Sequence, residues 1–143
     1  MHPTGVPIGL QLAHSAKAVS RAFNDALAEV GGSVPTWFVL TNLTGEEWRT
    51  QQELARALGI EGPTLTRHLD SLEQEGLVAR RRDPNDRRAV RVELTDAGRE
   101  LHATLLRAVI AFNKRLLSGL SEAEIEELRG LLGRLEQNVR QNA

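Results

Sequence analysis

The sequence predicts a mainly α fold with a small β-wing, a winged helix-turn-helix joined to long amphipathic helices. Three observations predict it. Residues 50–75 read as two short helices around the turn Ile60-Glu61-Gly62, a helix-turn-helix spacing. Residues 77–94 read as two strands around the turn residues Asp83-Pro84-Asn85-Asp86. Residues 7–30 and 96–140 repeat apolar side chains at spacings of three and four, the period of amphipathic helices.

The first helix spans 7–30, with Ile8, Leu12, Val19, Phe23, Leu27 and Val30 along one stripe. Gly31-Gly32 ends it, since glycine takes the left-handed conformation past a helix C-terminus without steric cost. Ser33-Val34-Pro35 restarts the chain as a helix, proline being tolerated in a first turn. Trp37, Phe38, Leu40 and Leu43 give this helix a wide apolar face, and it stops near Gly45. Glu47 to Arg49 predicts a very short strand. Thr50-Gln51-Gln52-Glu53 fits a capping box, in which Thr caps a backbone N–H and Glu reaches back. It opens a helix with Leu54, Ala55 and Leu58 inward, ended by Gly59.

The next helix runs from Pro63 to Glu75 with Leu65, Leu69 and Leu72 as its stripe. At 100° per residue, Arg67 points away from that stripe. Pro63, Thr64, Asp70 and Ser71 share the outer face, and His68 sits at its edge. Arginine pairs bidentately with guanine, hydroxyls contact bases or phosphates, and a helix N-terminus favours phosphate, so this face suits the major groove of duplex DNA. Leu77–Arg82 and Ala89–Leu94 form the wing strands, Val90, Val92 and Leu94 alternating with Arg91 and Glu93. Arg87 and Arg88 fall at the wing tip, where a wing meets phosphates or the narrow minor groove. Thr95 caps a helix from Asp96 to Ser118 with Leu101, Leu105, Ala108, Phe112 and Leu116 in its stripe. Ser121-Glu122-Ala123-Glu124 is a second capping box, opening a last helix with Ile125, Leu128, Leu132, Leu135 and Val139.

Composition narrows the function classes. At 143 residues, 41% hydrophobic and 26% charged, the chain suits one domain or a small domain with an oligomerisation arm. Without cysteine it has no disulfide, thiolate metal site or cysteine nucleophile. Aromatics at 3% argue against a stacking platform for single strands. No segment reads as a signal peptide or reaches the ~18 apolar residues of a membrane span, so a cytoplasmic protein is expected. The net charge is −1, yet 76–91 holds six arginines and two aspartates, whereas 121–143 holds five glutamates and three arginines. The positive charge is therefore concentrated at the wing.

Taken together, the order of helices, the reading helix ending in Leu-Glu-Gln-Glu-Gly-Leu-Val, the D-P-x-D-R-R wing at 83–88 and the L-T-x-x-G of 94–98 resemble the MarR family of bacterial transcriptional regulators. The resemblance covers essentially the whole chain. It implies a homodimer in which 1–32 and 96–143 form a helical dimerisation region and 33–95 the winged helix-turn-helix. It implies binding to a palindromic operator in double-stranded DNA, with Pro63, Thr64, Thr66, Arg67, His68 and Ser71 in the major groove and Arg82, Arg87 and Arg88 from the wing. Asp83 or Asp86 is expected to brace the wing arginine by a salt bridge. Release by a small aromatic or phenolic ligand is expected, in a pocket near His14, Ala18, Trp37, Phe38 and Thr41.

Other readings stand beside these. A winged helix also serves as a protein-interaction module without DNA, although that leaves the arginine wing unexplained. The plainer readings, which the residues favour, make His14 a surface or satisfied core histidine and Trp37 a core residue. A metal-responsive regulator using His2, His68 and His102 with Asp70 is a further alternative, but the four histidines share no ligand-like spacing. No cofactor or metal is therefore expected. An enzyme is not expected either, because the sequence has no phosphate-binding glycine loop, nucleophile motif or histidine–acid constellation.

Overall fold

The computed structural model describes residues 5–141. His2 and the outermost ends of the expected dimerisation region lie outside the described residues. Six helices and three short strands follow in order: α1 (Ile8–Ala28), α2 (Val34–Leu43), β1 (Arg49–Thr50), α3 (Gln51–Leu58), α4 (Gly62–Gln74), β2 (Val78–Arg82), β3 (Val90–Leu94), α5 (Asp96–Leu116) and α6 (Glu122–Arg140). The fold class is as predicted, mainly helical with a small antiparallel sheet. The chain up to Ile110 forms one compact unit, and the chain from Ala111 a second.

Local chemistry sets most boundaries. Ser33 caps α2, its hydroxyl accepting from the Thr36 N–H at 3.3 Å. Thr50 caps α3 in the same way, accepting from Glu53 N–H at 3.1 Å. The box at α6 is complete, with Ser121 and Glu124 bonded in both directions. Its Glu124 carboxyl is held below the usual range by the Ser121 backbone N–H. Helices α3 and α4 both end on a glycine with positive φ, Gly59 at 65° and Gly76 at 75°. In each case the following residue bonds back five positions, Ile60 N–H to Ala55 and Leu77 N–H to Leu72, which satisfies carbonyls the helix end leaves open.

The expected strand at 47–49 forms two residues later, at Arg49–Thr50. It pairs antiparallel with β3, Arg49 opposite Val92 and Thr50 opposite Arg91, giving the sheet order β1-β3-β2. The shift places the strand directly against the N-cap of α3, so the sheet anchors the helix-turn-helix as well as the wing.

The core of the first unit is aliphatic. Leu40 from α2, Leu54 from α3, Leu65 and Leu69 from α4, Val92 from β3 and Leu105 from α5 are fully buried. Burying a side chain of this size contributes ~1.5–3 kcal/mol each. Two of the expected apolar stripes differ from their expected burial. Phe38 is 48% exposed, because Val39 rather than Phe38 turns inward beside Leu40. In α1 only Leu27 is buried, and Ile8, Leu10 and Leu12 face outward. In the second unit α6 has no buried residue, and Leu128, Leu131, Leu132, Leu135 and Val139 are all exposed.

The start of α5 explains the Leu-Thr-x-x-Gly pattern. Thr95 Oγ1 donates to the Gly76 carbonyl at 2.6 Å and accepts from Gly98 N–H at 3.0 Å. The Thr95 N–H donates to the Leu77 carbonyl at 3.1 Å. A Cβ on Gly98 would sit 2.1 Å from that same oxygen. Gly98→Ala should therefore destabilise the fold by about 1–3 kcal/mol, the usual cost of overpacking. Gly9→Ala, with nothing within 4 Å of the added carbon, should not. Urea unfolding of the two variants checks this, and equal midpoints would refute the clash.

Candidate nucleic-acid interface

Helices α3 and α4 are held at their crossing by leucines and by one polar tie. Gln51 Nε2 donates to Thr66 Oγ1 at 2.6 Å, and Thr66 Oγ1 donates to the Gly62 carbonyl at 3.0 Å. The Thr66 hydroxyl is thus engaged inside the protein. Of the reading-helix candidates, Pro63, Arg67 and Ser71 are exposed, while Thr64, Thr66 and His68 are half-buried. His68 faces an apolar cleft of about 380 Å³ that it lines with Phe38, Asn42, Leu58 and Ile60. The outer face of α4 therefore offers Pro63, Arg67 and Ser71, with Thr64 beside them.

The wing is a five-residue ladder between β2 and β3, running from Val78–Leu94 to Arg82–Val90. The Asp83 N–H donates to the Ala89 carbonyl at 3.0 Å, closing the loop. Asp83 Oδ1 accepts from the Asn85 N–H at 2.9 Å and from Arg91 Nη2 at 3.1 Å. Arg91 in turn lies over the Trp48 ring, 3.9 Å from its centroid, a cation–π contact. The arginine braced by Asp83 is thus Arg91 on β3, not one at the tip. Asp86 makes a different contact, its Oδ1 accepting from the Arg88 backbone N–H at 3.0 Å, as aspartate does in a tight turn.

The arginines of this region fall into two sets. Arg80 pairs with Asp70 and Glu73, Arg81 with Glu93, and Arg91 with Asp83. Arg80 holds the Glu73 carboxyl below its usual range, chiefly by the hydrogen bond between them. Among the described residues, Arg67, Arg82, Arg87 and Arg88 are exposed, and no ion pair engages their guanidinium groups. One of these four stands on the reading helix and three on the wing. Guanidinium groups left open to solvent are what phosphate and guanine recognition requires.

The effector candidates go to separate places. Trp37 stacks on His102 of α5, ring centroids 5.3 Å apart and planes 3° from parallel. Phe38 lines the cleft beside His68. His14, Ala18 and Thr41 are exposed. Among the described residues no cluster of three metal-ligating side chains occurs, and no helix is long and apolar enough to cross a membrane. Sequence reasoning missed the engaged set, Arg80 with Asp70 and Glu73, and Trp48 with Arg91. The alternation of β3 places Arg91 on the face opposite Val92, but nothing in the pattern couples Trp48 to it.

A model of the MarR family matches residues 33–90. Among solved structures, the transcriptional repressor CouR bound to a 23-mer DNA duplex is 31% identical, covers 91% of this chain and 92% of its own, and superposes with a TM-score of 0.81. A mutant MarR from E. coli complexed with operator DNA is 27% identical over 91% of this chain and 94% of its own, with a TM-score of 0.79. A probable transcriptional regulator from Pseudomonas aeruginosa is 31% identical over 90% and 96%, with a TM-score of 0.77.

The wing brace is sensitive to acid. The Asn85 N–H first, and the Arg91 guanidinium after it, hold the Asp83 carboxyl below its ordinary value of 3.8 against the opposing effect of burial. A carboxyl with a lowered folded-state pKa stabilises the fold fully above the unfolded value. That contribution is lost as pH falls from there through the folded value. Asp83→Asn should therefore lower the melting temperature at neutral pH and flatten its fall below about pH 4. Melting curves from pH 7 to pH 3 that coincide for both proteins would exclude the brace.

Proposed function

The chain belongs to the MarR family of transcriptional regulators, and from that premise we propose that it is a dimeric repressor of a palindromic operator, released by a small aromatic or phenolic ligand. It is a DNA-binding regulator rather than an enzyme. The observation that carries the DNA reading is the set of open guanidinium groups at Arg67, Arg82, Arg87 and Arg88, on the two elements that a winged helix presents to a duplex. In this reading Pro63, Thr64, Arg67 and Ser71 enter the major groove and the wing arginines reach phosphates or the minor groove.

A dimer follows from unburied apolar surface. A helix with an apolar stripe and no buried residue, as α6 is, stabilises a fold only when that stripe is covered. The outward Ile8, Leu10 and Leu12 of α1 make the same demand. A second copy of the chain satisfies both, with 1–32 and 96–143 supplying the interface and 33–95 the reading module. Two reading helices ~34 Å apart then match successive major grooves. A ligand near Trp37 that favours another spacing weakens binding by its differential affinity for the two states. A cytoplasmic location accompanies this role.

Arg87→Ala with Arg88→Ala should weaken binding to all duplexes and lower the salt slope by about one per lost phosphate contact. Arg67→Ala should instead relax discrimination at particular bases, by ~1–3 kcal/mol. Titration of selected operators at several salt concentrations checks both, and unchanged affinity in the two variants would overturn the interface. Leu131→Glu with Leu135→Glu should convert the dimer to monomer in sedimentation velocity, and an unaltered dimer would displace α6 from the interface.

A further inference from the structure

The reading helix carries two carboxylates beside its recognition groups. Asp70 follows Arg67 by three residues and precedes Ser71; Glu73 follows Asp70 by three more. Residues three apart on a helix are neighbours, ~5–6 Å between Cβ atoms. An unengaged Asp70 thus has Arg67 as its nearest cation along the helix, and pairing there would withdraw Arg67 from the duplex.

The structure gives Asp70 another partner. Arg80 Nη2 meets Asp70 Oδ1 at 2.5 Å and Glu73 Oε1 at 3.1 Å. The Arg80 backbone N–H also donates to Glu73 Oε2 at 3.1 Å. The Arg80 side chain is 17% exposed, whereas those of Asp70 and Glu73 are 58% and 42% exposed. One arginine, lodged beneath the helix, therefore engages two carboxylates that still face solvent. Exposed ion pairs add little to stability, so holding β2 to α4 is a weak reason for this arrangement.

We propose that Arg80 is a positioning residue for DNA binding, which draws Asp70 away from Arg67 and, by pairing with Glu73 as well, cancels carboxylate charge along the reading helix. The inference rests on the DNA-binding reading above. It differs from a simple tether in what removal of the acids does. A tether is broken equally by losing either partner. Charge masking is needed only while the carboxylates are present.

The experiment compares operator binding by the full-length protein and its Arg80→Gln, Asp70→Asn/Glu73→Gln and combined triple variants. Arg80→Gln should weaken specific binding roughly 5- to 150-fold, the range expected when one bidentate base contact is lost. The double variant should bind at least as tightly as wild type, and the triple variant should recover most of the lost affinity. A double variant as weak as Arg80→Gln, or a triple variant that recovers nothing, would overturn the masking role. If Arg80→Gln fails to fold by circular dichroism, the double variant, altered only at exposed side chains, decides alone. Wild-type protein that retains no duplex at low salt would instead sink the DNA reading itself, an outcome separate from any difference among the variants.

Discussion

The structure depends most on the backbone at Leu77, where three functional elements meet within one residue. Its N–H closes the C-terminus of α4 by bonding to Leu72 at 2.9 Å, and its carbonyl accepts from Thr95 at 3.1 Å. That carbonyl also occupies the space a side chain on Gly98 would need. The reading helix, the wing and the start of α5 are therefore registered against one peptide unit. Close-packed contacts of this kind shift as rigid pieces rather than bending gradually. The reading helix and the start of α5 thus share an anchor at this peptide unit.

Upon that frame, the protein sorts its arginines by giving some of them partners. Arg80, Arg81 and Arg91 are engaged by acids on neighbouring elements, and Arg91 also by the Trp48 ring. These contacts lie within the wing and between β2 and α4. The remaining guanidinium groups, at Arg67, Arg82, Arg87 and Arg88, make no ion pair among the described residues. A basic stretch is consequently not one uniform patch. Half of it is scaffold, and the other half is presented.

How much of this was legible in the sequence depended on the range of the interaction. Helix starts and stops were legible because capping is local: Ser33, Thr50 and Ser121 act within three residues of themselves. The wing was legible from alternation and from its turn residues. The pairing of Arg49–Thr50 with β3 was not, since it joins residues about forty positions apart and two residues carry no period. Trp48 with Arg91 was missed for the same reason, and Arg80 with Asp70, only ten positions apart, because the contact joins a helix face to a strand and follows neither element's period. The spread of Trp37 and Phe38 to different neighbours was also hidden, because α2 is apolar nearly all round and periodicity there does not distinguish core from cleft. The Gly98 requirement could be seen as a pattern but not explained, because its cause is the carbonyl of a residue in another element.

A net charge of −1 is no obstacle to binding a polyanion once these distances are considered. At physiological ionic strength the Debye length is ~8 Å, so exposed charges act mainly on their immediate surroundings. The sum over the whole chain therefore says little about the field at the reading helix. What matters is the sign of the groups that share its surface. On α4 the nearest of these is Asp70, three residues from Arg67 and so its neighbour on the helix surface, with Glu73 one turn further on. The cheapest remedy is a cation that belongs to the scaffold, held by β2 and unable to leave with the duplex. Arg80 stands in that place. The bonds that neutralise the carboxylates run between α4 and β2, the two elements whose charges they join.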